Sequence, residues 1–319
     1  MCAICLRVSL FHAALRLGLP RVASSAAGAR GRGVLREDSC RTGLRSGHCR
    51  CVPRAGLDRW FQEGVDHLQG AQLPAEPACF LLAPDASAQL FFGALAPSAD
   101  AIGRAFPAVM FAALRVHVSL APLRFASFLR AGARLAATAP TLTANQLAAE
   151  IGSLASGFRT AVRAPDVSAL LARSRYVDLD AALGGLPEGA AYALTTLIAA
   201  CSRAEAAVSA VRALVLDCPA PSDELRTFWL ELVRRHLRAQ MPSLLWTRDR
   251  LLVALGPAPS LMLAYLADPE YEGSHRWPLR TLDPAARVKA LEKLSPGQRR
   301  VLAAGDASLA EVLQIFAEA

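Results

Sequence analysis

"AQLFFGALAPSADAIGRAFPAVMFAALRV", residues 88–116, decides the fold. Two apolar runs, 88–97 and 108–116, flank a polar centre. Each run is short, shows no 3.6-residue period and is bounded by proline. Such runs read as strands buried on both faces. "ACFLLAP" (78–84) joins the first run through Asp85, Ala86 and Ser87, so the two read as a hairpin. The polar centre is a turn. Gly103 permits a tight backbone and Pro97 and Pro107 fix its ends. Ser98 or Asp100 can cap a short helix there. Asp100 and Arg104 stand at i and i+4, a spacing that pairs acid and base on one helical face. Two readings follow: a turn anchored by an ion pair, or a surface on which Arg104 meets an acidic partner.

Around this core the chain alternates helices and strands. "LDRWFQEGVDHLQGAQ" (57–72) places Leu57, Trp60, Phe61, Val65 and Leu68 at helical spacing, and Gly70 closes it. The region 117–212 is Ala-rich and broken by Pro140, Pro165 and Gly184-Gly185-Leu186-Pro187; its pieces "ANQLAAEIGSLASGF" and "VSALLARSRYV" are helical. "RALVLDCP" (212–219) reads as a strand. "SDELRTFWLELVRRHLRAQ" (222–240) is an amphipathic helix capped by Ser222, with acids in its first turn and arginines in its last. "SLLWT" and "LLVALG" close a strand pair around Arg248-Asp249. After residue 257 two or three short helices follow. The fold class is therefore α/β: three layers, a central mixed sheet flanked by helices, with an Ala-rich helical middle.

The chain has 319 residues, is 53% hydrophobic and 19% charged, and carries a formal net charge of +8. Its mean hydropathy is +0.30. No stretch approaches the roughly 20 uncharged residues of a membrane span; Gly189 to Ser202 reads as a buried helix, and no stable membrane insertion is expected. Residues 1–54 hold ten of the 35 basic residues, all arginine, against Glu37 and Asp38, and so carry the whole +8. The remainder balances to zero, which leaves a nucleic-acid reading nothing beyond that arm. Five of the eight cysteines (Cys2, Cys5, Cys40, Cys49, Cys51) also lie there. Cys79, Cys201 and Cys218 sit among apolar residues, as buried thiols of a reducing, cytoplasmic compartment do.

Three readings compete for residues 1–54: an Arg- and Ser-rich targeting peptide, a zinc site built on Cys40, His48, Cys49 and Cys51, and a non-native segment. The last accounts for the absence of lysine and of periodicity. No catalytic signature appears in the body: no Gly-x-Ser-x-Gly elbow, no phosphate-cradling loop, no His-Glu-x-x-His. His67, His117, His236 and His275 are isolated. Asp178 and Asp180 precede glycines but lack the further oxygens of a calcium loop, and read as a capped helix start. No cofactor or metal is expected.

The turn and the helix before it resemble the type VI secretion-associated family TagF. Its pattern, Pro-Ser-x-Asp-x-x-Gly-Arg-x-Phe-Pro before an apolar strand, is matched by Pro97, Ser98, Asp100, Gly103, Arg104, Phe106 and Pro107. A Trp…Gly signature is matched by Trp60 and Gly64, and a Ser-Leu-Trp-Trp-like element by "PSLLWT" (242–247), with Leu245 in place of a second Trp. The likeness spans about 57–266. The family's opening Gly-Lys-(Ile/Leu)-Pro…Asp-Phe is missing. Yet "VLREDSCRTGLR" (34–45), back-translated with allowed codons and shifted by one nucleotide, reads Phe-Phe-Gly-Lys-Ile-Pro-Ala-Gly-Leu-Asp-Phe-Val. Residues 1 to about 54 are thus expected to be translated out of frame, leaving the family's first strand absent and a sheet edge bare. The expected organisation is 1–54 non-native, 55–266 a TagF-like α/β domain, 267–319 a helical tail. The resemblance implies an accessory protein, not an enzyme, that restrains a type VI secretion system by binding a forkhead-associated scaffold or sheath subunits. The partner-binding or structural residues are then Ser98, Asp100, Gly103, Arg104 and Trp60. The alternative is an α/β hydrolase-like enzyme with a site assembled from distant residues.

Overall fold

The computed structural model describes residues 6–10, 55–83, 90–99, 105–114, 123, 125–160, 166–186, 188–206, 214–237, 242–271, 273 and 275–317. The apolar runs become strands β2 (Ala78–Leu82), β3 (Leu90–Ala99) and β4 (Ala105–Leu114), a continuous antiparallel meander. β5 (Leu214–Pro219), β6 (Ser243–Trp246) and β7 (Arg250–Leu255) extend it, and β8 (Arg276–Pro278) lies parallel to β5. With β1 (Leu6–Leu10) the order is β1-β4-β3-β2-β6-β7-β5-β8, a mixed sheet as expected.

Alternate residues of strands β2 to β7 serve two main cores, and a small third cluster gathers around Met110. Phe80, Leu82, Phe91, Val109, Leu245 and Leu252 face α1 (Ala55–His67) and α8 (Met262–Ala267). Leu81, Phe92, Ala112, Leu216, Leu244 and Val253 face the other helices. Those are α2 (Ala126–Thr138), α3 (Ala144–Thr160), α4 (Val167–Arg173), α5 (Tyr176–Ala182), α6 (Gly189–Ala206), α7 (Asp223–His236), α9 (Pro284–Glu292), α10 (Pro296–Ala304) and α11 (Leu309–Ala317). Burial on both faces is why the strands read as unbroken apolar runs. The result is three layers. Each fully buried large side chain, such as Trp229, Phe228 or Phe80, adds about 1.5–3 kcal/mol.

Local chemistry sets the helix ends. Ser222 Oγ accepts from Leu225 N at 3.2 Å and starts α7. Asp178 Oδ2 accepts from Arg175 N at 3.2 Å, so the aspartate before the glycines closes the first turn of α5. α6 is buried along its length, and among the described residues no helix is long and apolar enough to cross a membrane.

Three expectations change. Pro97 pairs with Pro107, Ser98 with Phe106 and Ala99 with Ala105. Ser98 is therefore a strand residue and caps no helix. Asp100, Gly103 and Arg104, on the connection between these strands, lie outside the described residues. Leu6–Leu10, assigned to a non-native segment, runs antiparallel along β4, Leu6 opposite Ala112 and Leu10 opposite Ala108. The outer edge of β4, expected bare, is thus paired; ladder hydrogen bonds join backbones and accept many sequences. Residues 11–54 lie outside the described set. Finally, residues 267–319 are built into the domain. β8 joins the sheet, and Leu309, Val312 and Phe316 of α11 are buried in the main core.

Candidate functional site

Trp60 and Gly64, one turn apart on α1, share the face turned to α8. Trp60 is 4% exposed and its Nε1 donates to Ala258 O at 2.9 Å, tying α1 to the loop after β7. A Cβ on Gly64 would lie 2.5 Å from Leu263 Cδ1 and 3.0 Å from Ser260 O. The Trp…Gly spacing is thus a packing device: a donor and a notch on one helix face.

A second polar cluster sits on the same side of the sheet. Asp217 is 7% exposed in the middle of β5. Arg250 lies opposite Pro219 and Arg276 opposite Val215, so the arginines flank the carboxylate two places to either side, on the two neighbouring strands. Arg250 donates to both oxygens, Nε to Oδ1 at 2.7 Å and Nη2 to Oδ2 at 2.6 Å. Arg276 donates twice to Oδ2, at 2.9 and 2.7 Å. Arg250 Nη1 also reaches Tyr265 O at 2.5 Å, linking the sheet to α8. Tyr265 is fully buried, and its hydroxyl has no hydrogen-bond partner among the described residues. Burial, chiefly, and then neighbouring Tyr271 push that phenol's pKa up. Nothing in the spacing of Asp217, Arg250 and Arg276 announces this cluster. Its signal was Asp217 itself, a lone acid inside an apolar strand, which buries only when paired.

Among the described residues, the three thiols are held in their neutral form. Burial pushes Cys79 and Cys201 up to about 12, and Cys218 well above its usual value. His236 Nε2 lies 2.9 Å from Phe316 O, a contact that holds α7 to α11. Among the described residues no three His, Cys, Asp or Glu side chains gather where they could hold a metal.

Described residues line two surface depressions of note. One, between α4, α5 and the start of α7, is lined by Ser174, Asp178, Ser222 and Glu224. The other is a slot of about 540 Å³ between α2 and α7. Its floor is Cys79 and Trp246, which pair across β2 and β6; its walls carry Leu129, Ala133 and Leu230. Arg226 crosses its end. It donates to Ala220 O, Thr247 O and Arg248 O through Nη1 and to Asp223 through Nε and Nη2, locking the β6–β7 turn to the start of α7. Neither depression is lined by a histidine, so neither offers the acid–histidine–nucleophile grouping that a hydrolase site requires.

Fold and site together define a three-layer α/β domain whose buried ion pairs, caps and signature residues hold its own architecture. The first part of that domain has relatives. Residues 53–154, from just before α1 into α3, match the TagF N-terminal domain, type VI secretion system-associated. The match supports the likeness to TagF carried by the turn and by the Trp…Gly signature, and it indicates a type VI secretion-associated protein. The "PSLLWT" element, which forms β6, lies beyond the matched residues. A search of curated proteins finds no match to the chain.

Proposed function

We propose that this protein is a cytoplasmic accessory of a bacterial type VI secretion system that restrains assembly or firing by binding other components. The observation that carries this reading is the TagF match over α1 to α3. The consumption of Trp60, Asp217, Arg226 and Arg250 by internal bonds supports it, because these polar side chains serve packing. The partners are a forkhead-associated scaffold or sheath subunits, by family resemblance. The docking surface includes the end of the β3–β4 hairpin, where Ser98 is half-buried and Pro97 exposed. There Asp100 holds Arg104, and Arg104 offers a bidentate fork to an acidic or phosphorylated group.

The test is genetic. Deleting the coding gene raises type VI effector release, and an Arg104→Ala chain, folded by circular dichroism, fails to restore restraint. Unchanged release after deletion refutes the regulatory reading. Full restraint by Arg104→Ala refutes the role of the turn alone.

A further inference from the structure

The slot between α2 and α7 is a gap in the helical layer over the centre of the sheet. α2 packs on β3 and β4, while α7 packs on α4, α6 and α11. Between them, Cys79 of β2 and Trp246 of β6 form the floor of the slot. No strand can add there. β2 pairs β3 and β6, and β6 pairs β2 and β7, so both ladders are filled. Two walls of helix over an apolar floor suit a third helix instead.

The walls fit that shape. Ala126, Ala133 and Ala137 fall at i, i+7 and i+11 on one stripe of α2, with Leu129 between them. Small residues allow a neighbouring backbone to approach closely. α2 has 13 residues, a wall of about 20 Å at 1.5 Å per residue, so three to four helical turns can lie along it.

The rim selects charge. Arg130, Arg134 and Arg248 are exposed at the slot. Arg134 and Arg248 make no ion pair among the described residues, and Arg130 only a loose one, 3.9 Å from Asp223 with both side chains about half exposed or more. Asp223 is already held by Arg226 at 2.8 Å. Glu76 is the other acid on the rim. Outside residues 1–54 the chain is charge-balanced, so this excess of guanidinium is local. We infer that the slot receives an amphipathic helix of a partner protein, its apolar stripe on Leu129, Leu230 and Trp246 and its carboxylates on Arg130 and Arg134. This rests on the binding function proposed above and assigns it a second surface, distinct from the hairpin end.

A photo-crosslinking residue at exposed Ala137, in the full chain and in cells with an active secretion system, tests it. The expected adduct is with a type VI component, and mass spectrometry of the adduct identifies a peptide with Asp or Glu outside an i, i+3, i+4, i+7 apolar stripe. Arg130→Glu with Arg134→Glu lowers its yield about tenfold or more, because like charges then face each other. Salt lowers it in the native chain. No adduct, an adduct with a second copy of this chain, or a yield unchanged by the charge reversal overturns the inference. If the adduct forms as expected while gene deletion leaves secretion unchanged, the slot stands and the restraining role falls.

Discussion

Replacing Asp217 by asparagine keeps the shape of the side chain and removes its charge. Three of its four hydrogen bonds converge on Oδ2, from Arg250 Nη2 at 2.6 Å and from Arg276 at 2.9 and 2.7 Å. The amide oxygen would take that position. The amide NH2 would then face Arg250 Nε, now 2.7 Å from Oδ1, donor against donor. Two guanidiniums, each side chain 14% exposed, would be left without a counter-charge. Removing one partner from a buried ion pair costs about 3–5 kcal/mol, roughly two to nearly four decades in the folding equilibrium. Urea unfolding followed by tryptophan fluorescence measures it. The ranking is equally specific. Arg250→Met costs more than Arg276→Met, because Arg250 binds both carboxylate oxygens and also Tyr265 O. Replacing all three by Leu, Met and Met restores most of the stability, since well-packed apolar residues substitute for buried ion groups at little cost. A loss below about 1 kcal/mol for Asp217→Asn would refute the reasoning.

Other expectations follow from single contacts. Gly64→Leu overpacks the α1–α8 contact and costs about 1–3 kcal/mol in the same assay; an unchanged midpoint contradicts the notch. Trp60→Phe leaves Ala258 O without its buried donor and costs about 1–3 kcal/mol. Cys201 and Cys218 stay unlabelled by iodoacetamide at pH 8 in the folded chain, and Cys79, partly exposed at the slot, labels slowly because its thiol is neutral, as peptide mass spectrometry reads site by site. Their thiols are neutral when folded, with Cys79 and Cys201 pushed up to about 12 against an ordinary 9.0. Above pH 9 the unfolded thiols ionise and the folded ones do not, so stability present below 9 declines as pH rises toward 12. A stability that rose over that window would contradict the assignment. Sequencing the coding DNA across codons 30 to 57 from an independent clone is expected to give Gly-Lys-Ile/Leu-Pro in a shifted frame; its absence from every frame restores residues 11–54 as genuine chain.

The strands from β2 to β7 were legible because each is an apolar run of strand length closed by Pro, Gly or Asp. α1 and α7 were legible because a polar face alternates with a buried stripe. β8 was not: Arg276-Trp277-Pro278 is three residues long and holds a place in the sheet through pairing with β5, which no local pattern announces. The membership of α11 in the core was hidden for the same reason, since Phe316 packs on elements far away in sequence. The Asp100–Arg104 spacing suggested a helical pair, because i and i+4 meet on a helix. The register gives strands up to Ala99 and from Ala105, and Asp100 and Arg104 between them lie outside the described residues. Trp60 and Gly64 were recognised as a signature, but only the contact with Ala258, Ser260 and Leu263 gives its physical cause. The slot combines α2, α7, β2 and β6, and its shape exists only once the sheet order is known.

Direct binding tests the central claim most sharply. Isothermal titration of the purified full chain against the forkhead-associated scaffold and against the sheath subunits of the same secretion system should give one saturable complex of defined stoichiometry. Arg104→Ala should weaken that complex while leaving the fold unchanged. Absence of binding to every one of these components, by a chain shown to be folded, would contradict the account.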